Sequence, residues 1–402
     1  MSTKRQFLFL QGVCSPFFRC LAVALQRRGH RVHKINYTVG DRIYWRMPDA
    51  TSYRGSRGDL REFYLKQYKA HGVTDIVLFG DCRPVHRPAI DLARQSNINV
   101  HVFEEGYFRP YWVTLERNGV NGHSTLPRDP DYYRMRAKQV PRYDNGSAFI
   151  SPFWKRAAYD IGYNFWAGLN PILHRGVQRH VPYSPAVEYA SYVRKSLGAK
   201  LWKHHAHRTQ RRLTVGAGER PYYLFPLQLT TDSQITHHSD FSTMSEAISH
   251  VIQSFSQHAP EHARLLIKAH PLDPGLHNYS RQIRTLGKAH GIKERLTYID
   301  GGHLPTLINA TEGVVTINST VGASAILHGR PTKALGRAIY NMPGLTYQGD
   351  LNEFWCTKEQ PDISLFKSFR NVVIHDTQIN GGFYCRTGIE LAVENALPRI
   401  LA

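Results

Sequence analysis

Two adjacent carboxylates, Glu104 and Glu105, follow an apolar run at residues 98–103 and precede Gly106. Carboxylates serve enzymes as nucleophiles, as general bases and as electrostatic partners of cationic transition states. Because side chains alternate along an extended backbone, we expect the two acids to point in opposite directions, so that at least one enters a site. Arg109 follows closely and could hold one of them. A pair of solvated loop acids explains the same residues without any chemistry.

A second candidate set, Lys268 and His270, ends the apolar run at residues 263–269 and is followed by Pro271. A histidine at the end of a strand can donate from either ring nitrogen, and its pKa lies near neutrality. These properties suit a phosphate ligand, and the lysine adds positive charge beside it. An ordinary turn accounts for a His-Pro pair equally well.

A third candidate set, Asn318, Ser319 and Thr320, joins the apolar run at 314–317 to a predicted helix. Free backbone N–H groups, hydroxyls and the positive end of a helix together bind anions. Helix capping by Asn318 or Ser319 explains the same residue types. Both interpretations, phosphate binding and capping, therefore stand.

A polar cluster directly follows the apolar run at residues 222–226. Gln228, Asp232 and Ser233 belong to it, and we expect them to line a cleft. The cluster has no motif of its own, and a plain loop would have the same composition. Its position after a predicted strand, where ligands of α/β sheets bind, carries the prediction.

The elements that must position these residues alternate between strands and helices. The predicted strands lie at 6–10, 31–36, 74–79, 98–103, 222–226, 263–269, 296–299 and 314–317, and helices separate them, among them 88–95, 242–256, 279–290 and 320–328. Such alternation indicates βαβ units and parallel sheets. The predicted fold class is therefore α/β, with two Rossmann-like domains facing a central cleft. An Asn-Gly pair within 118–122 also predicts a β-hairpin turn.

We expect four segments along the chain. Residues 1–140 form an N-terminal α/β domain, and 141–219 form an irregular, partly helical basic connection. Residues 220–385 form a C-terminal α/β domain, and 386–402 form a helix that could cross back to the first domain.

The composition is that of a folded protein with an unusual charge. Of 402 residues, 51 are Lys or Arg and 31 are Asp or Glu, which gives a formal net charge of +20. Such a surface attracts anionic lipids, nucleotides and acidic sugars. Residues 194–212 are densely cationic. Three interpretations of this segment remain open: a solvated basic face, attachment to anionic lipid and nucleic-acid binding. Sequence motifs for nucleic-acid binding are absent.

Cysteine spacing and apolar runs exclude other classes. The 5 cysteines form no CxxC pair, so we predict neither a disulfide framework nor a metal site, and a reducing cytosol fits. No apolar run approaches the roughly 20 residues of a spanning helix. The sequence is thus interpreted as soluble or bound to a membrane from outside.

Four motifs in order, EEGYFRP, KAHP, TINSTVGASAILHGRP and GLTYQG, resemble the capsular polysaccharide KpsS/LipB family over nearly the whole chain. The resemblance implies a GT-B-like fold and a retaining β-Kdo glycosyltransferase. It would move Kdo from CMP-β-Kdo to a (lyso)phosphatidylglycerol acceptor and so start the poly-Kdo linker of Gram-negative capsular polysaccharide for biosynthesis and export. It also implies a cytoplasmic protein, peripheral on the inner face of the cytoplasmic membrane, with other capsule assembly proteins as possible partners and without nucleic acid.

The resemblance also assigns roles to domains and residues. It implies that residues 1–140 carry the catalytic acid on the acceptor side and that residues 220–385 bind the nucleotide sugar. Glu105 is the expected nucleophile, with Glu104 orienting it or acting as base, and Lys268, His270, Asn318, Ser319 and Thr320 are expected at the nucleotide and phosphate. Arg109, Gln228, Asp232 and Ser233 are expected at the sugar. No cofactor or metal is expected. Two alternatives remain: a CMP-sialic-acid-dependent (poly)sialyltransferase, whose acidic-pair, His-Pro and Ser/Thr motifs are similar, and a non-catalytic capsule export or assembly protein that binds anionic polysaccharide.

Overall fold

The chain forms two compact units. The computed structural model describes residues 4–168, 170, 187, 190–191, 194–195, 199–215, 220–229, 233–357 and 359–402. The first unit comprises Met1–Thr125, Val140–Pro182 and Asn371–Ala402, and the second comprises Leu126–Gln139 and Tyr183–Arg370.

Strands and helices alternate along most of the described chain. The strands β1 to β12 are Gln6–Phe9, Arg31–Asn36, Ala50–Ser52, Asp75–Phe79, Asn99–Glu105, Trp112–Arg117, Tyr222–Pro226, Arg264–Lys268, Leu296–Ile299, Gly313–Thr316, Thr332–Ala334 and Gln378–Asn380. The helices labelled α1 to α15 are Phe17–Gln26, Val39–Trp45, Leu60–His71, Arg87–Gln95, Pro130–Arg136, Phe153–Ala167, Ala199–Val215, Ser233–Thr236, Met244–His258, Tyr279–Ala289, Leu304–Asn309, Thr320–Leu327, Leu351–Phe354, Ile363–Thr377 and Arg386–Leu401.

The first unit is built on a sheet in the order β12-β6-β5-β4-β1-β2-β3. Strands β1 to β5 are mutually parallel, whereas β6 runs antiparallel to both β5 and β12. The parallel part has the Rossmann order 3-2-1-4-5, so its topological switch point lies between β1 and β4. In α/β sheets, ligands bind beside such a point, at the carboxyl ends of the strands.

Helix α1 shows why the first sheet is covered on one face. Phe17, Leu21 and Leu25 recur at helical spacing, and all three are buried in one core cluster. Ile389 and Leu397 of α15 belong to the same cluster, so the C-terminal helix packs on the first unit beside α1. Apolar residues with a 3.6-residue period thus determine which face each helix buries.

The second unit contains a sheet in the order β11-β10-β7-β8-β9 with every pairing parallel. Counted from β7, this is again the order 3-2-1-4-5, and the switch point lies between β7 and β10. Helices such as α9 cover the sheet: Ile248, Val251 and Phe255 are buried beside β7 and β8.

The predicted fold class, α/β with two Rossmann-like units, is confirmed. The bounds of the units differ from the predicted segments, because pairing partners come from distant parts of the chain. Residues 141–219 do not stand apart as a connection but are divided between the units. Residues 126–139 join the second unit through Tyr133, whose ring lies 5.0 Å from Phe369, and residues 371–385 join the first because β12 pairs with β6.

The predicted hairpin at 118–122 is wrong. The antiparallel pair is β5 with β6, and the chain turns between them at residues 106–111. Asn118 and Asn121 do adopt positive φ angles, 69° and 57°, but they lead into a short 3-10 helix at Asn121–His123. Asparagine tolerates this backbone region in many turns, so its presence does not specify a hairpin.

The described helices include none that combines the length and the apolar composition needed to cross a membrane.

Candidate active site

Glu105 ends β5 of the first unit and is held by groups from three other segments. Its Oε1 lies 3.2 Å from Nη1 of Arg156 on α6, and the hydroxyl of Tyr384 donates to the same oxygen at 3.4 Å. Arg109 is farther away, with Nη2 at 3.8 Å from Oε2. The carboxylate remains 24% exposed, so it is positioned by protein groups and still open to a ligand.

The electrostatics around Glu105 keep its partners in fixed protonation states. Burial raises the pKa of Tyr384 well above its usual range, and the negative charge of Glu105 raises it further, so the phenol keeps its proton and donates. Burial lowers the pKa of Arg156, but Glu105 together with smaller contributions from Tyr384 and Asp160 outweighs this effect, and the pKa is raised. The guanidinium also lies 4.8 Å from the centre of the Tyr384 ring, which ties the two partners together.

Glu104 has different neighbours from Glu105, as alternation along a strand requires. Its Oε1 accepts a hydrogen bond from the backbone N of Glu105 at 2.9 Å. Its other oxygen approaches Gly80 at the end of β4, where a Cβ would lie 3.3 Å away. Gly80 also has φ of 70°, a backbone conformation that glycine adopts without strain. The two acids therefore occupy separate positions at the carboxyl ends of β4 and β5.

The first switch point brings further polar groups near the acids. Arg83, after β4, donates from Nη1 to the carbonyl of Gly12 at 3.1 Å and so joins the loops after β1 and β4. Cys14 lies in the same loop, and burial, followed by the charge of Asp160, raises the pKa of its thiol to about 12. Cys14 is therefore a neutral thiol at physiological pH.

The second switch point joins Gln228 to Asn318. The buried Gln228 follows β7 and accepts from the backbone N of Asn318 after β10 at 3.0 Å. The amide of Asn318 donates from Nδ2 to the carbonyls of Gln234 and His238, both at 2.7 Å. Two predicted site residues are thus brought together, and their contacts fix the loop that precedes α12.

Ser319 and Thr320 begin α12, as predicted. Ser319 is the N-cap, and its hydroxyl accepts from the backbone N of Val321 at 3.2 Å. The hydroxyl of Tyr340 donates to the Ser319 carbonyl at 2.5 Å. Thr320 is exposed at the first helical position. The capping interpretation is observed, while phosphate binding at the same helix end remains a prediction.

Lys268 and His270 lie at the carboxyl end of β8. Lys268 is buried and its Nζ donates to the carbonyl of Ala269 at 3.3 Å. Burial lowers the pKa of Lys268, while the charge of Asp300 after β9 opposes the shift. Nδ1 of the half-buried His270 accepts from the backbone N of Leu272 at 3.1 Å, which leaves Nε2 to carry the proton of the neutral ring.

For two of the residues predicted to contact the sugar, the structure describes no side chain. Asp232 lies outside the described residues. Ser233 begins the short helix α8, of which the structure describes the backbone at this position.

The sequence did not predict Arg156, Tyr384 or the cationic cavity of the second unit. This open cavity of about 1320 Å³ lies beside α10 and β9. Its lining includes four cations and two aromatic rings: Arg194, Arg281, Arg284, Lys293, Tyr279 and Tyr298. Residues that converge only through tertiary structure give no local motif, and the abundance of basic residues in this chain hides the few that line a site.

A family model described as "Capsule polysaccharide biosynthesis protein" matches residues 74–384. The chain belongs to this capsule polysaccharide biosynthesis family. The match runs from the segment before β4 to Tyr384 and therefore includes the acidic pair and the switch point of the second unit, whereas β1, on one side of the first switch point, precedes it.

Relatives of this capsule family member match nearly end to end. Capsule polysaccharide export protein KpsS of Escherichia coli is 36% identical over 94% of this chain and 97% of its own length. Capsule polysaccharide modification protein LipB of Neisseria meningitidis serogroup B is 34% identical over 96% of this chain and 93% of its own. Among solved structures, Thermosulfurimonas dismutans KpsC, beta Kdo 2,7 transferase, is 14% identical, with a TM-score of 0.45 over 98% of this chain and 100% of that one.

Proposed function

We propose that this capsule family member is a retaining β-Kdo glycosyltransferase. It transfers Kdo from CMP-β-Kdo to a (lyso)phosphatidylglycerol acceptor and thereby starts the linker on which capsular polysaccharide is built and exported. The observation that carries the proposal is Glu105, a partly exposed carboxylate at a strand end, oriented by Arg156 and Tyr384. The names of the relatives, a capsule export and a capsule modification protein, support the capsule context.

Retention follows from two displacements at the same carbon. In the first, an oxygen of Glu105 bonds to the ketosidic carbon of Kdo while the bond from that carbon to the phosphate oxygen of CMP breaks, and CMP leaves with the electron pair. In the second, a hydroxyl of the lipid bonds to the carbon as the bond to Glu105 breaks. The proton of that hydroxyl passes to Glu104, the neighbouring base. Each step inverts the centre, so the product has the configuration of the donor.

Arg156 and Tyr384 would act on Glu105 rather than on the sugar. Both contact the same oxygen, Oε1, so Oε2, which lies 3.8 Å from Arg109, would be the attacking oxygen. Holding the carboxylate in one orientation lowers the entropic part of the barrier. Arg109, more than half exposed, is placed to meet the carboxylate of the sugar.

The leaving group would be stabilised by residues of the second unit without a metal. CMP is already a good leaving group, so stabilising its phosphate charge is sufficient. Lys268 and His270 after β8, and the N-terminus of α12 after β10, would supply positive charge and N–H donors on either side of β7. Asn318 and Gln228 would shape this loop, since their hydrogen bonds fix its backbone.

The acceptor side of the proposal places the protein on a membrane. A lipid acceptor requires a peripheral position, which we propose to be the inner face of the cytoplasmic membrane, in contact with other capsule assembly proteins. The formal charge of +20 favours an anionic lipid surface and an acidic donor alike.

The proposal is tested by transfer from CMP-Kdo, generated in situ, to a fluorescent phosphatidylglycerol analogue in the presence of EDTA. Wild type is compared with Glu105→Gln and with Glu62→Gln, a matched change at a carboxylate that is 71% exposed and paired with Lys66. We expect product from wild type and Glu62→Gln, and a loss of at least about 1000-fold for Glu105→Gln.

Three other outcomes would redirect the assignment. Transfer from CMP-sialic acid in place of CMP-Kdo would identify the sialyltransferase alternative. Activity that returns only after a divalent cation is added would overturn the metal-free mechanism. No transfer by wild type, with a known Kdo transferase active in the same mixture, together with capsule formation that survives Glu105→Gln in cells, would identify a non-catalytic export protein.

A further inference from the structure

Helix α6 exposes an apolar stripe along its whole length. Trp154, Ala158, Ile161 and Phe165 recur at spacings of four, three and four residues, which places them on one face of a helix. The three large members are 65%, 51% and 72% exposed, in this order. We call these four residues the outer stripe. A surface helix normally buries its apolar face against the protein core. The outer stripe is exposed, so packing on the core does not explain its apolar composition.

The opposite face of α6 is polar and points into the first unit. Arg156 reaches Glu105, and the backbone carbonyl of Tyr159 accepts from the hydroxyl of Tyr44 at 2.8 Å. Tyr163 donates from its hydroxyl to Oδ1 of Asp41 at 3.1 Å. The helix is therefore attached to the unit by hydrogen bonds and one ion pair. Its amphipathic character is inverted: the polar face is inside and the apolar face is outside.

Further apolar side chains extend the outer stripe at both ends. Ile150 is 86% exposed, Phe153 64% and Trp166 38%. Six large apolar residues of a seventeen-residue stretch, 150–166, are thus exposed together. Contiguous exposed apolar surface of this kind marks a site of interaction with a protein or a membrane.

The charges around the outer stripe distinguish between these occupants. Nζ of Lys155 lies 5.7 Å from the centre of the Trp154 ring. Helix α2, whose Tyr44 packs on α6, exposes Arg42, and the exposed Arg46 directly follows this helix. An apolar face with cations beside it complements anionic lipid headgroups over acyl chains. A second copy of this chain would bring the same cations and the same charge of +20, so self-association through this face is opposed.

We propose that the outer stripe of α6 docks on the surface of an anionic bilayer. The helix lies in the plane of the interface, with the side chains of Trp154, Ile161 and Phe165 below the headgroups and Lys155 level with them. Because a helix with side chains is only about 10–12 Å across, docking brings Arg156 and Glu105 within about one helix diameter of the membrane. The docking itself requires no transfer activity. The inference deepens the proposed function and rests on it only where the closeness of Glu105 to the membrane is given a role in transfer.

The experiment measures binding of the full chain to vesicles by flotation. Vesicles of phosphatidylcholine alone are compared with vesicles that also contain phosphatidylglycerol. The test variant combines Trp154→Ser with Phe165→Ser, and the matched control is Met135→Ser, which removes a side chain that is 60% exposed on α5. We expect wild type and control to float with the anionic vesicles, and the test variant to bind them on the order of 100-fold more weakly, since two large side chains no longer leave water.

Several results would overturn this inference. Equal binding by the test variant and wild type would show that the outer stripe does not touch lipid. Equal binding of wild type to both vesicle types would remove the role of anionic headgroups. Wild type that is dimeric by light scattering, with a monomeric test variant and no vesicle binding by either, would assign the stripe to a second copy.

A soluble acceptor separates this inference from the proposed function. With a short-chain, water-soluble phosphatidylglycerol, the test variant should transfer Kdo at the wild-type rate, because neither substituted residue contacts Glu105 or its partners. Vesicle binding without any transfer by wild type would sustain the docking surface and overturn the transferase. Transfer by wild type, together with vesicle binding by the test variant that equals that of wild type, would sustain the transferase and overturn the docking surface.

Discussion

Arg156 and Glu105 form an ion pair, 3.2 Å between Nη1 and Oε1, that joins helix α6 to the end of β5. The pair connects two features that are otherwise unrelated in the sequence. One is a carboxylate of the EEGYFRP motif. The other is a helix within residues 141–219, for which the sequence predicts an irregular, partly helical connection. The position of the helix therefore determines the orientation of the carboxylate.

Removing the guanidinium should impair chemistry more than binding. In Arg156→Met, the carboxylate of Glu105 loses its nearest cation and can rotate, so we expect kcat for Kdo transfer to fall by about 10- to 100-fold with a smaller change in KM. Steady-state kinetics with a soluble acceptor measure both constants. Arg109→Met is the matched control, since Arg109 is 3.8 Å from Glu105 and more exposed; it should change KM for the donor more than kcat. The reverse pattern would assign orientation of the nucleophile to Arg109.

A small addition near Asn318 should disturb the second unit's switch point. A Cβ on Gly336 would lie 2.6 Å from both Nδ2 and Oδ1 of Asn318, closer than real contacts allow. Gly336→Ala should therefore displace the Asn318 side chain and raise KM for the donor about 10-fold or more. Gly58→Ala is the control, because its Cβ would meet only Ser56 Oγ at an ordinary 3.6 Å. Unchanged KM in Gly336→Ala would show that this loop does not bind the donor.

Asp75 should be a major contributor to the stability of the first unit. Its fully buried carboxylate accepts from Arg5 Nε at 2.9 Å and contacts His101 Nε2 at 2.8 Å. Breaking a buried ion pair costs about 3–5 kcal/mol, so Asp75→Asn should lower the free energy of unfolding by about this amount. Asp131→Asn, at a carboxylate that is 77% exposed, should change it by less than about 1 kcal/mol. Urea unfolding of the three proteins measures these differences.

The contribution of Asp75 should also depend on pH. Burial raises the pKa of this carboxyl, but hydrogen bonds from His101 and Arg5 lower it more, so that it lies well below its usual range. A folded-state pKa below the unfolded one gives stability that is present above about pH 4 and lost as the pH falls further. The gap in stability between wild type and Asp75→Asn should therefore narrow below pH 4. A gap that widens in acid would contradict this account.

His33 should make the first unit sensitive to mild acid. Its ring stacks on His71 at 3.9 Å, and burial, followed by the charge of His71, lowers its pKa to about 4. Between pH 4 and the unfolded value of about 6.5, the unfolded chain binds more protons, so the free energy of unfolding falls as the pH drops. The difference in melting temperature between wild type and His33→Gln should therefore shrink from pH 7.5 to pH 5. A difference that grows between pH 7.5 and pH 5 would contradict this account.

The alternation of strands and helices was predictable because buried strands and amphipathic helices each leave a local pattern. Strands such as β7 and β9 begin and end where the apolar runs predicted. The short strands β3, β11 and β12 were not predicted, since three residues contain too little pattern and their pairing partners decide their conformation. The bounds of the two units were not predicted either, because they too depend on pairing between distant segments.

The candidate site was predictable at its strand ends and no further. Glu104 and Glu105 stand directly after an apolar run, and topology alone places such residues at the crevice of an α/β sheet. Arg156 and Tyr384 arrive from distant segments, and only tertiary packing brings them to Glu105. A basic residue at position 156 is also inconspicuous in a chain with 51 lysines and arginines.

The order of strands in the two sheets has a consequence for solubility. The outermost strands of the first sheet, β12 and β3, have 3 residues each, and those of the second, β11 and β9, have 3 and 4. Each border thus presents few unpaired backbone groups to a neighbouring molecule, which limits growth by strand addition and amyloid-like stacking. If the purified protein aggregates, detergent, which coats apolar side chains, should therefore reduce the aggregation more than conditions that suppress intermolecular β-sheet.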